Sequence, residues 1–311
     1  MSYRFINPGH YTMMSEWTDS AYDVASKNST YMNNLSPNGV AIGGVTRYEI
    51  PESSKKVWIS YSVSKHAFNN WIIGIRNPLN TAPLNAVLVG LYNYNNTADG
   101  VLSVTSSNNA TNTIADMHFF SKLISGKYNR CMMMVDTENG IVEVWTNSEK
   151  VFSSTGITQL QKISDLKGYR IEFSPTDRGI ANIIVSDEEI KPNEDVLVLG
   201  NGEIEADVQP DTDGVYTFTD VGQKYLQKPD VSKLSDTDVI TGVAAIAQPA
   251  YSDADGIYHV TGISADEAGT ITEHGQDAIT SSTKSGVVVS WPQALTKAEL
   301  AKMKVGMVMA K

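Results

Sequence analysis

CMMMVDTENGIVEVW, residues 131–145, is two apolar runs joined by a polar step. In the second run Val142 and Val144 alternate with Glu143, the period of a strand that buries one face. The joining residues end in Asn139-Gly140, a pair that accepts the left-handed backbone of a tight turn. The stretch therefore predicts a β-hairpin. Its cysteine, Cys131, is the only one in the chain; it excludes an intramolecular disulfide and reads as a small buried hydrophobe in the first strand.

The same period extends outward. In KKVWISYSVS (55–64) the residues Val57, Ile59, Tyr61 and Val63 share one face. NWIIGIR (70–76) and NAVLVGLYNYN (85–95) are apolar enough for central strands, while NPLNTAPLN (77–85) is a loop punctuated by two prolines. YRIEFS (169–174) and ANIIVSDEEI (181–190) add two further strands. About ten strands are expected between residues 40 and 190, with a single short helix candidate, SDLKG at 164–168. The expected class is all-β, a jelly-roll β-sandwich.

Through SDEEIKPNEDVLVLGNGEIEADVQP (186–210) the aromatics thin out and Asp, Thr, Val and Ala take over, which sets a domain boundary near residue 195. Residues 1–195 would be the sandwich with an N-terminal extension, and 196–311 a smaller β-rich region. That region carries a tandem repeat, 205–249 and 248–292. DTDGVYTFTDV (211–221) and DADGIYHVTGI (253–263) share Asp, Asp, Gly, Tyr and Thr 42 residues apart, and TGVAAIAQP (241–249) resembles SGVVVSWP (285–292). Near the end, Thr296 and Glu299 stand at capping-box spacing for a short terminal helix.

Both D-x-D-G copies precede alternating residues, Val215, Thr217 and Thr219 in one and Ile257, His259 and Thr261 in the other. That is turn chemistry followed by a strand. The competing reading is a calcium site at Asp211, Asp213, Asp253 and Asp255, although neither copy continues into an EF-hand with its bidentate glutamate.

Motifs for catalysis are missing. The five histidines, His10, His66, His118, His259 and His274, stand singly without metal-ligand spacing, and there is no nucleophile elbow or phosphate-binding glycine loop. EIEAD puts Glu203, Glu205 and Asp207 at alternate positions, the spacing for a carboxylate pair, but without aromatic neighbours to stack on a sugar. Sugar binding without catalysis is better served elsewhere. Trp71, Tyr92, Tyr94 and Trp145 supply aromatic surface, and Asn95, Asn96 and Asp99 supply hydrogen-bonding groups; Trp71 and Trp145 compete for places in the core.

A net charge of −11 without a run of Lys or Arg argues against nucleic acid as a partner. No stretch approaches the roughly 20 apolar residues of a membrane span. MSYRFINPGHYTMMSEWTDS (1–20) lacks the basic-then-apolar order of a signal peptide, so synthesis in a cytoplasm is expected.

NRCMMMVDTENGIVEVWTNSEKVFSS (129–154) resembles the hairpin region of concanavalin A-like and laminin G-like jelly rolls, and IANIIVSDEEI (180–190) is similar to their closing strand. The resemblance covers residues 40–192. Laminarinase-like members carry E-x-D-x-x-E on a strand, a motif this chain lacks. A sandwich rich in Asn, Ser and Thr and followed by repeated β-modules also resembles bacteriophage virion proteins: fibres, tail-tip adhesins and capsid decorations. That resemblance implies a non-enzymatic structural protein located in the virion. Its partners would be other virion proteins and a host-surface glycan, and it would be a homo-oligomer without a cofactor, trimeric by analogy with fibres. The competing expectations are a carbohydrate-active enzyme and an exported bacterial carbohydrate-binding adhesin.

Overall fold

The computed structural model describes residues 4–7, 22–23, 42–43, 46–64, 71–76, 87–93, 100–105, 111–117, 123–124, 128–173, 180–247, 257–280 and 287–310. The chain divides into two compact units, one of Met1–Tyr3 with Asn7–Leu197 and one of Val198–Lys311 with Arg4–Ile6. Both are built from strands. Among the described residues no helix is long and apolar enough to cross a membrane.

Strand β1 (Arg4–Asn7) opens the chain. The first unit then contains β2 (Tyr22–Asp23), β3 (Ile42–Gly43), β4 (Thr46–Glu49), β5 (Lys56–Ser64), β6 (Trp71–Arg76), β7 (Val87–Asn93), β8 (Gly100–Thr105) and β9 (Thr111–Met117). It closes with β10 (Tyr128–Asp136), β11 (Ile141–Thr146), β12 (Glu149–Ser154), β13 (Arg170–Phe173) and β14 (Ile180–Ser186). These strands form two antiparallel sheets, ordered β12-β11-β10-β5-β14-β3-β2 and β4-β13-β6-β7-β8-β9. The chain changes sheet between β3, β4, β5 and β6, and again at β10, β13 and β14, as a jelly-roll sandwich requires.

Alternation on β5 fixes which face is the core. Val57, Ile59, Tyr61 and Val63 are fully buried and register with Val135, Met133, Cys131 and Asn129 on β10. Opposite them the second sheet contributes Ile73, Ile75, Ile171 and Phe173, and the rings of Tyr61 and Phe173 meet edge to face at 5.8 Å. The Tyr61 hydroxyl is buried there with no hydrogen-bond partner among the described residues. Cys131 is buried as expected, and burial pushes its thiol well up.

The hairpin read from residues 131–145 is present. Asp136 pairs with Ile141, and Asn139 donates its backbone N–H and side-chain amide to the Asp136 carboxylate, both at 3.0 Å. Gly140 has φ +63°, and a Cβ there would sit 2.7 Å from the Ile157 backbone. SDLKG, by contrast, is not helical. Asp165 accepts from the backbone N–H groups of Ser54 and Lys167 and from the Ser53 hydroxyl, which pins a turn in place of a helix.

The other face of the larger sheet is covered too. Met132, Met134, Ser60 and Ile184 are buried on it, and Trp58 packs on Trp145 at 5.7 Å. The segment after β14 returns over this face. Arg130 donates to Asp195 at 3.2 Å, Ser148 donates to the Pro192 carbonyl, and Ile190 and Val196 are buried.

The second unit comprises β15 (Gly200–Ala206), β16 (Lys224–Asp230), β17 (Val239–Ala247), β18 (Ile257–Ala265), β19 (Ile271–Thr280), β20 (Val287–Thr296) and β21 (Lys304–Met309). A five-stranded sheet, β15-β16-β21-β18-β19, packs against the two-stranded β17-β20. Among the described residues the core is small: Ala245, Val289 and Trp291 in one cluster, Leu226, Ile263 and Ala265 in another. Glycines allow close approach between layers and within a sheet: a Cβ on Gly262 would meet Val289 and Trp291 of the facing layer, and one on Gly306 would collide with the Tyr225 carbonyl of the neighbouring strand β16. The short helix Lys297–Leu300, near the C-terminus and followed by β21, has the capping box expected of Thr296 and Glu299.

The two repeat-related segments around Gly242 and Trp291 are partners, pairing Val243 with Trp291 and Ala247 with Val287. The two D-x-D-G copies differ. Ile257, His259 and Thr261 lie in β18, but Val215, Thr217 and Thr219 belong to no strand. β16 already has β15 and β21 on its two edges, so 215–219 cannot pair with β16.

Candidate functional site

Of the sugar-contact residues expected from the sequence, Tyr92 lies in β7, whereas Tyr94, Asn95, Asn96 and Asp99 lie outside the described residues. Register places position 92. Ile73, buried in the core, pairs with Leu91, and Leu91 pairs with Leu102. One step along, Tyr92 pairs with Trp71 on one side and Val101 on the other. Strand alternation assigns positions 92 and 101 to the face away from the core. A bulge between Trp71 and Ile73 keeps position 71 in register with 92 rather than with the core row. Trp145 takes the competing role: it is buried against Trp58, with the Lys150 ammonium 4.9 Å from its ring centre.

The D-x-D-G at 211–214 is a turn. Asp211 Oδ1 accepts from the backbone N–H groups of Asp213 and Val215, both at 2.9 Å, and Gly214 takes φ +79°. Asp266 repeats this geometry in DEAGT (266–270), a turn with no D-x-D-G to announce it. Its Oδ1 accepts from Ala268 and Thr270, and Gly269 has φ +82°. The common requirement is an Asp at the first position and a left-handed Gly at the fourth. Asp253 and Asp255 lie outside the described residues, among which no group of three or more metal-ligating side chains is gathered.

The EIEAD carboxylates acquire partners that the sequence did not signal. Glu205 on β15 accepts from Lys304 of β21 at 2.9 Å and lies 3.6 Å from Lys224 of β16. The hydrogen bond and charge of Lys304, joined by Lys224, hold the Glu205 carboxyl below its ordinary range, and Glu205 in turn raises Lys304. That is the opposite of the raised acid needed to protonate a glycosidic oxygen. Asp207 instead accepts from the Lys224 backbone N–H at 3.0 Å and closes the strand end. Glu203, Glu205 and Lys304 border two adjoining cavities, of about 300 and about 190 Å³.

One histidine has company. His274 lies flat on Trp291, ring centres 3.9 Å apart and planes within 5°, with its Nε2 2.9 Å from Ser264 Oγ. Burial lowers its pKa, so the neutral ring is favoured. Ser264 is itself buried, and the pair ties β18 to β19 as a packing element. His259 is in β18; His10, His66 and His118 lie outside the described residues.

No family model matches the chain, and no curated protein matches it. Solved structures to which it is similar include domain 4 of AbnA, an extracellular arabinanase of Geobacillus stearothermophilus, in complex with arabinotriose. That match has 14% identity and TM-score 0.36, covering 61% of this chain and 84% of that one. Sheep galectin-11 in complex with glycerol matches at 8% identity and TM-score 0.34, covering 46% of this chain and 97% of that one. The CBM40 of the Ruminococcus gnavus IT-sialidase, bound to α2,3-sialyllactose, matches at 14% and 0.32, covering 49% and 91%.

Proposed function

We propose that the protein is a non-enzymatic structural protein of a virion, a fibre, adhesin or capsid decoration, whose sandwich contacts a host-surface glycan and whose second unit serves assembly into a homo-oligomer. The observation that carries the glycan contact is the register of Trp71 with Tyr92 on the face of the six-stranded sheet away from the core. Two aromatic positions side by side on a sheet form a platform for the apolar face of a sugar ring. Tyr94, Asn95, Asn96 and Asp99, which follow Tyr92 closely in sequence, are the polar and aromatic groups the sequence offers for fixing a sugar's orientation.

What supports an assembly role for the second unit is its tandem repeat of β-modules, 205–249 and 248–292. A glycan array probed with the full chain tests the reading. Binding that falls at least about tenfold in the Trp71→Ala/Tyr92→Ala variant supports it. Binding that is unchanged, or release of cleaved sugar, overturns it.

A further inference from the structure

We propose that the cleft along β15 in the second unit is a subsite for a neutral saccharide. It is separate from the platform on the sandwich and shares with it only the class of ligand. The cleft has the dimensions of a small-ligand site: its larger cavity, about 300 Å³, is lined by Glu203, Gln209, Pro210, Tyr216 and Lys304. That is at the lower end of the roughly 300–1,000 Å³ of such pockets, the size of a sugar ring. The adjoining cavity of about 190 Å³ shares Glu203, Glu205 and Lys304 and gives room for a continuing chain.

The walls are fixed in advance. The 207–223 connection is pinned at both ends by side chains: Asp207 accepts from Lys224 N–H, and Gln223 Oε1 accepts from the N–H groups of Thr219 and Asp220. Between them the Asp211 turn sets the course of the loop, and Tyr216 meets Tyr225 edge to face at 5.0 Å. On the facing strand a bulge at Gly202 and Glu203 displaces the acid from the regular ladder. Only glycine fits there, because a Cβ on Gly202 would stand 2.6 Å from the Lys228 carbonyl.

Charge selects the ligand. Glu203 and Glu205 are balanced by Lys224 and Lys304, so an anion would meet carboxylates and a cation would meet ammonium groups. A neutral polyol uses both signs, donating to Glu203 and Glu205, accepting from Lys304 and Gln209, and laying its C–H face on the tyrosine.

Saturation-transfer NMR on the full chain with maltotriose, cellotriose and galactotriose tests the site. At least one trisaccharide should bind both the wild type and the Trp71→Ala/Tyr92→Ala variant, and its affinity should fall about tenfold in Tyr216→Ala and in Glu203→Gln. Glu203 is exposed, so its isosteric variant reads the site without disturbing the loop. If the platform variant loses every trisaccharide while Tyr216→Ala and Glu203→Gln retain them, the subsite is overturned and the platform stands. If no trisaccharide binds the wild type, the subsite is overturned, and the platform is judged by its own array.

Discussion

The two units solve the same problem, closing β-sheets over a core, by different means. The sandwich does it with volume. Tyr61, Phe173 and a row of isoleucines are fully buried between its sheets, and even the outer face of its larger sheet is covered by the segment that returns after β14. Among its described residues the second unit has two clusters of three buried residues, and it relies on backbone fit: glycines where strands or layers touch, aspartates that cap turns, and lysine–glutamate pairs across strands.

The contrast breaks first at Gly306. Alanine there should destabilise the second unit by about 3 kcal/mol, because the neighbour it meets is the Tyr225 backbone, which cannot rotate away. Chemical denaturation followed by the fluorescence of Trp291 would show it, and a shift under about 1 kcal/mol would mean that the strands separate easily.

The opposite sign is expected in the sandwich. Tyr61→Phe removes a buried hydroxyl that has no partner and should stabilise that unit by about 1 kcal/mol, read from the denaturation midpoint at unchanged slope. Destabilisation would show that the hydroxyl is satisfied in solution.

Asp211→Ala, which deletes an acceptor for two backbone N–H groups, should cost about 1 kcal/mol. Chelator should leave both proteins unchanged, as a turn requires. Loss of stability of the wild type on chelation would restore the calcium reading.

The smallest effect sharpens the comparison through pH. The folded pKa of His274 is depressed by burial, so its contribution is complete above the unfolded value, near 6.5, and is lost as pH falls through the folded value. Glu205, held low by Lys304, follows the same sign at more acidic pH, its contribution being lost below the unfolded carboxylate range. His274→Gln should flatten the first part of that profile when stability is measured from pH 7 downward.

What the sequence made legible follows the reach of each interaction. The hairpin at 131–145 and the capping box at Thr296 were readable because their determinants lie within a few residues of one another. The β5 core face was readable because alternation is a local pattern. The first D-x-D-G is a turn, as expected, but the strand expected after it is absent: β16, the next strand in the chain, is already paired on both edges. The Asp266 turn escaped notice because it shares geometry with Asp211 but only Asp and Gly in sequence. Glu203 and Glu205 were visible as a pair; their lysines, brought in from β16 and β21, were not. The register that places Trp71 beside Tyr92 depends on a bulge, which no two-residue period foretells.

The claim that the sandwich meets glycan on the Trp71–Tyr92 face is tested most directly by the indole N–H signals of the five tryptophans during titration with a glycan identified on the array. The Trp71 signal should shift in proportion to occupancy while those of Trp58, Trp145 and Trp291 stay in place. A still Trp71 with a bound glycan would contradict the account.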